Sequence, residues 1–187
     1  MIDIIGIPGS LRADSLNRKL LELSDQLIGD RARIEIAGLL PLPMYNPDDE
    51  ARETPRPVVE LKQKIEAADG LLISLPVYYV SMPGVLKNAI DWICRTPEPV
   101  RGTSVLAGKP ISVIVGAGGL GATETGNHLM GILSVLDADL DNEAALEFVR
   151  LPERVDESGH LAVEEDRGLL KRFIERLVDR IDEAASG

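Results

Sequence analysis

Residues 1–17 read Met1-Ile2-Asp3-Ile4-Ile5-Gly6-Ile7-Pro8-Gly9-Ser10-Leu11-Arg12-Ala13-Asp14-Ser15-Leu16-Asn17, and this stretch decides the fold. The apolar run at 2–7 predicts a buried strand. A Gly/Ser-rich turn follows, and helical spacing of apolar residues over 15–28 predicts a helix capped by Ser15 or Asp14. A strand that enters a helix through a tight polar turn opens a β-α-β unit. The rest of the chain repeats the unit. Further strand-length runs lie at 33–37, 70–75, 111–115 and 144–149, alternating with helical stretches at 57–68, 83–95, 121–136 and 163–185. The first, third and fourth runs are apolar nearly throughout, the pattern of strands covered on both faces, whereas 33–37 alternates like an edge. An α/β fold with a doubly wound parallel sheet follows, with helices on both faces. Residues 40–57 hold five of the twelve prolines and predict a surface loop.

Composition narrows the function. The 187 residues carry 20 Lys+Arg against 31 Asp+Glu, a formal charge of −11, with 44% hydrophobic residues. A chain of this length buries roughly 70% of its unfolded surface, enough for one core without staples, so residues 1–187 are expected to form a single domain. The charge repels nucleic-acid phosphates and anionic lipid alike, and neither is an expected partner. One cysteine, Cys94, and two histidines, His128 and His160, exclude an internal disulfide and a His/Cys metal cage. The first apolar run is short and interrupted by Asp3. It reads as a strand rather than a signal peptide or membrane span, and the expected compartment is a reducing cytoplasm.

Ligands of open parallel sheets bind beyond the carboxyl ends of the strands. Three loops there carry the functional reading. In the first, residues 6–17, free N–H groups at a helix start, the hydroxyls of Ser10 and Ser15, the amide of Asn17 and the charge of Arg12 are suited to surround one phosphate. Read alone, the same residues also fit an ordinary turn with Ser15 as cap and Arg12 in solvent. The loop is neither G-x-x-x-x-G-K-[ST] nor G-x-G-x-x-G. The second, Leu75-Pro76-Val77-Tyr78-Tyr79-Val80-Ser81-Met82-Pro83-Gly84, places two adjacent tyrosines beside a strand end in a chain with 3% aromatics. They either line a flat heterocycle or cover the sheet end. Trp92, Ile90 and Leu86 read as helix packing. The third, Gly116-Ala117-Gly118-Gly119-Leu120-Gly121, matches G-x-G-x-x-G but follows the fourth strand rather than the first. It reads as a glycine-lined wall that lets backbone approach a flat ligand.

Together these residues resemble one family. Gly9-Ser10-x-Arg12-x-x-Ser15-x-Asn17, then Pro76-x-Tyr78-x-x-Ser81-x-Pro83-Gly84-x-Leu86-Lys87-Asn88-Ala89-Ile90-Asp91-Trp92, then Gly108-Lys109-Pro110, look like the NADPH-dependent FMN reductases, the flavodoxin-like quinone, chromate and azo-dye reductases. The resemblance implies a five-stranded sheet of order 2-1-3-4-5. It also implies FMN as cofactor and NADPH or NADH as hydride donor, with a small acceptor such as a quinone and chemistry on the flavin rather than on a catalytic side chain. By resemblance Ser10, Arg12, Ser15 and Asn17 take the FMN phosphate, while Pro76, Val77, Tyr78, Tyr79 and Ser81 with Gly116, Gly118 and Gly119 border the ring. Two departures stand out. Relatives commonly read Pro-Glu-Tyr-Asn where this chain has Pro76-Val77-Tyr78-Tyr79, and Cys94 replaces a usual serine. The family's habit and the broad apolar surface of residues 121–136 predict a homodimer or homotetramer. The alternatives are an FMN-binding electron carrier without nicotinamide turnover and a dehydrogenase using the third loop. The histidines and the acidic surface of the last helix read as structural or solvated.

Overall fold

The computed structural model describes residues 1–40, 42–95, 104–141 and 145–186. Four parallel strands form the body of the sheet: β1 (Ile2–Pro8), β2 (Ala32–Ile36), β3 (Gly70–Leu75) and β4 (Pro110–Ala117), in the order β2-β1-β3-β4. Every residue of β3 and β4 is buried, and β2 alternates, as the hydropathy of each run predicts. Register is fixed by period-two burial. Ile4, Leu72 and Ile114 face one layer, whereas Ile5, Ile7, Leu71, Ile73, Val113 and Val115 face the other.

The layers are filled by helices of the expected kind. α1 (Leu16–Ile28) and α6 (Glu164–Ser186) cover the first face through Leu20, Leu21, Phe173, Ile174 and Leu177. α3 (Arg56–Ala67), α4 (Gly84–Ile93) and α5 (Ala122–Val135) cover the second through Leu61, Ile65, Leu86, Ile90, Leu129 and Leu133. Trp92 is fully buried in α4, and its Nε1–H donates to the Pro43 carbonyl at 2.8 Å. Among the described residues no helix is long and apolar enough to cross a membrane, and no group of three or more His, Cys, Asp or Glu is placed to hold a metal ion.

Three details depart from the expected map. The fifth sheet position, expected as one strand over 144–149, is filled by two segments, β5 (Asp139–Leu140) and β6 (Leu146–Val149); residue 144 lies outside the described residues. Both lie parallel on the edge of β4 away from β3, with β5 against Pro110–Ile111 and β6 against 114–117. The pattern of residues 138–140 is too short to register as a period. Secondly, the proline-rich stretch contains a helix, α2 (Pro47–Arg52). Its signal was present: Asn46 caps by accepting from the Asp48 N–H, Pro47 occupies the first turn, and Asp48, Asp49 and Glu50 sit at the positive end of the dipole. Thirdly, Pro83 is the residue before α4, with φ −60° and ψ 140°, rather than its first residue.

Candidate functional site

Parallel order brings the carboxyl ends of β1, β3, β4 and β6 to one edge, and a cleft of about 260 Å³ opens there. Its lining includes Ser10, Arg12, Ser15 and Asn17 from the loop after β1, Pro76, Val77 and Tyr78 from the loop after β3, and Gly116 and Gly118 at the end of β4. Nine of the twelve site residues read from the sequence therefore meet in one place. Tyr79, Ser81 and Gly119 do not line it. Asp14, Leu16, Leu151 and Pro152 do, and were not anticipated. Leu151 and Pro152 begin a 3-10 turn directly after β6, so the strand-end rule that led to the other loops also points to them.

The centre of the site is the side chain of Asn17, 4% exposed. Its Oδ1 accepts from the Ser74 hydroxyl at 2.9 Å and from the Gly116 N–H at 3.2 Å, and its Nδ2 donates to the Gly116 carbonyl at 3.2 Å. One amide thus joins the first turn of α1 to β3 and β4. Gly116 is glycine because a Cβ there would stand 2.6 Å from Asn17 Oδ1 and 2.7 Å from Leu151 Cδ2. Gly9 is held similarly: its N–H donates to the Ser74 carbonyl at 2.7 Å, and a Cβ would stand 2.7 Å from Leu75 Cβ. Asn17 was expected to reach a phosphate. In the structure three of its polar contacts are internal, so its chief effect is to shape the cleft.

The anion-holding elements remain turned to the ligand space. Ser15 caps α1, its Oγ accepting from the Arg18 N–H at 3.3 Å while its hydroxyl hydrogen stays available. The cap and the anion cradle are therefore compatible readings of one residue. The first-turn N–H groups of α1 have no acceptor within the helix. Ser10 Oγ accepts from the Arg12 N–H at 3.3 Å, folding the loop back on itself. Arg12 is exposed and makes no ion pair. Asp14 also lines the cleft, so its side-chain charges sum to zero and anion capture rests on directed donors.

The loop after β3 closes as a two-residue hairpin. Tyr78 N–H donates to the Ser81 carbonyl at 2.9 Å and Ser81 N–H to the Tyr78 carbonyl at 3.1 Å. Tyr79 and Val80 at the tip both adopt positive φ, 51° and 60°. This is a type I′ geometry, which favours Asn-Gly and strains a β-branched residue. Tyr79 consequently points into solvent and does not border the cleft. Gly121, φ +89°, backs the turn, with room for a Cβ only 3.2 Å from Val80. Ser81 Oγ lies 3.3 Å from His128 Nδ1, which ties the hairpin to α5. Cys94 sits at the end of α4, where burial first and the nearby Asp91 second push its thiol above the ordinary range; it is unsuited to nucleophilic work.

The fold defines a nucleotide-binding α/β class, and the site a place for a phosphate-bearing flat ligand. The sequence profile of the NADPH-dependent FMN reductases matches residues 2–145, and the chain belongs to that family. It is 35% identical over 176 residues to a 2-hydroxy-1,4-benzoquinone reductase of Burkholderia sp, spanning 94% of this chain and 93% of the relative. A Solanum tuberosum NAD(P)H:quinone oxidoreductase is 37% identical over 180 residues, 93% of this chain and 90% of that one. Among solved structures, the flavoenzyme NAD(P)H:(acceptor) oxidoreductase FerB from Paracoccus denitrificans superposes with a TM-score of 0.84 at 32% identity, covering 98% of this chain and 99% of FerB.

Two outcomes are expected of the site. Asn17→Ala orphans Ser74 Oγ and both backbone groups of Gly116, lowering stability by about 2–4 kcal/mol in urea denaturation. Replacing Tyr79-Val80 by Asn-Gly relieves two left-handed residues and raises stability by about 1–2 kcal/mol, read as an increase in Tm.

Proposed function

We propose that Ser10, Arg12 and Ser15, with the first-turn amides of α1, hold the FMN phosphate, and that Pro76, Val77, Tyr78, Gly116 and Gly118 flank its ring. The observation that carries this reading is the unpaired Arg12 guanidinium beside a capped helix start, on the rim of a cleft whose far wall is bare backbone. A guanidinium and oriented N–H groups suit a phosphate monoester. Glycine backbone and apolar side chains suit a flat heterocycle.

FMN, when bound, supplies the redox chemistry, taking electrons from a nicotinamide dinucleotide and delivering them to the acceptor. The protein binds and orients the cofactor. Asn17 fixes the wall at Gly116, and Leu151 and Pro152 narrow the cleft from the β6 side. No side chain in the cleft is assigned as acid or base. Val77 presents an apolar surface where relatives commonly carry a carboxylate, which favours a neutral aromatic acceptor of the quinone class over an oxyanion such as chromate. Activity resides in one domain spanning the chain, in a reducing cytoplasm. The bleaching experiment below also separates an enzyme from a flavin-holding electron carrier.

A second copy of the chain is the proposed partner. α4 and α5 leave between them an open groove of about 560 Å³ lined by Ile90, Cys94, His128, Ile132, Val135 and Leu136, and Val135 is 75% exposed. An apolar groove of this kind fits a self-complementary interface.

Purified protein supplied with FMN is expected to be yellow and to bleach when NADPH or NADH is added without oxygen; a colourless protein refutes the cleft assignment. Arg12→Ala is expected to weaken FMN retention roughly tenfold or more, measured by fluorescence titration, as loss of one charge-assisted contact requires. Light scattering is expected to give twice or four times the chain mass, with Val135→Asp shifting it toward one.

A further inference from the structure

A second cavity, about 220 Å³, adjoins the phosphate loop on its other side. It shares Ser10 and Arg12 with the cleft and runs to Gly38, Leu39 and Leu40 beyond the end of β2, with Arg18 of α1 on its wall. Its lining carries two guanidinium groups and no carboxylate. In a chain of net charge −11 this is an electropositive place, more so than the cleft itself, where Asp14 balances Arg12. Arg18 Nε donates to Glu22 Oε1 at 2.9 Å, one turn along α1, which holds the guanidinium while its terminal nitrogens stay available.

Position in the sheet says what the cavity faces. The order β4, β3, β1, β2 sets the ring walls at the ends of β3 and β4, the phosphate cradle at β1, and the cavity between β1 and β2. A dinucleotide whose nicotinamide lies against the flavin ring, and which runs along the cofactor, carries its adenosine end past the phosphate loop toward β2. In nucleotide-binding sheets the end of the second strand is where the 2′ position of the adenosine ribose is read, a carboxylate accepting a 2′-hydroxyl and an arginine accepting a 2′-phosphate. Here the described residues at that end, Ala37 to Leu40, hold no acid, and Glu35 is engaged by Lys64 at 2.6 Å.

We infer that this cavity, through Arg18 with Arg12, receives the 2′-phosphate of NADPH and gives the enzyme a preference for NADPH over NADH. The inference rests on the reading that a nicotinamide dinucleotide is the electron donor at the neighbouring cleft.

Calorimetric titration of the FMN-loaded protein with adenosine 2′,5′-bisphosphate, adenosine 5′-monophosphate and inorganic phosphate tests it. The bisphosphate is expected to bind at least about tenfold more tightly than the monophosphate, the value of one guanidinium–phosphate contact. Arg18→Gln is expected to erase that difference and to raise the ratio of KM for NADPH to KM for NADH by a similar factor. Glu22→Gln, which frees Arg18 from its carboxylate, is expected to tighten bisphosphate binding, and it keeps the test decisive if Arg18→Gln folds poorly. Equal affinity of the two adenosine phosphates in the wild type overturns the inference, as does a preference that survives Arg18→Gln. Inorganic phosphate binding as tightly as the bisphosphate also overturns it, reducing the cavity to a general anion site. Loss of FMN from Arg18→Gln overturns it by placing the cofactor's own phosphate there. A protein that bleaches with NADH yet shows no 2′-phosphate preference refutes this inference alone; one that bleaches with neither dinucleotide refutes the donor reading and the inference with it.

Discussion

A buried carboxamide holds the ligand edge of this sheet together. Asn17 stands at the first turn of α1, yet its hydrogen bonds go to β3 and β4, so the helix start, the third strand and the glycine wall move as one body. Polar groups buried this deeply are costly unless paired, and Asn17 gives Ser74 and both backbone groups of Gly116 their partners. The constraint propagates outward. Gly116 can bear no side chain, Leu151 closes on it from β6, and Gly9 must pass close to Leu75 for the phosphate loop to reach its place. Shape at the cleft is therefore set by contacts that need not touch the ligand themselves.

This arrangement separates two tasks that the sequence presents together. Gly9-Ser10-x-Arg12-x-x-Ser15-x-Asn17 looks like one anion-binding string. In three dimensions Arg12 and Ser15 face the ligand space, whereas Asn17 faces inward. Ser15 does two things with one oxygen, accepting from Arg18 to start the helix and keeping its own hydrogen to offer. Directed donors of this kind act over short range and are little affected by the strongly acidic net charge, which governs only distant approach.

The body of the fold was legible because parallel strands covered on both faces have to be apolar at nearly every position, and β1, β3 and β4 are. The family resemblance placed nine of the twelve candidate site residues correctly around one cleft. What escaped has local causes. α2 lies in a stretch whose prolines read as loop, although Asn46-Pro47-Asp48-Asp49-Glu50 is a helix start. β5 is two residues long and has no periodicity to detect. Tyr79 belongs to the motif by position but turns away, because the hairpin puts it at the tip with positive φ, a torsional fact that residue type does not announce. Leu151 and Pro152 follow a strand that the pattern did find; only the loop beyond it was left unread.

The split fifth position bears on how the molecule keeps to itself. A sheet's outermost strand exposes unpaired N–H and C=O groups on which another chain's strand can add, and long regular edges invite aggregation. Here that border consists of one two-residue and one four-residue segment, docked against separate stretches of β4. The opposite border, β2, is five residues long and carries Arg33 and Glu35, each held in an ion pair, to Asp3 and Lys64. Neither flank offers a continuous, uncharged template, so self-association is steered from the strand edges to the helical face, where a contact can close and stop.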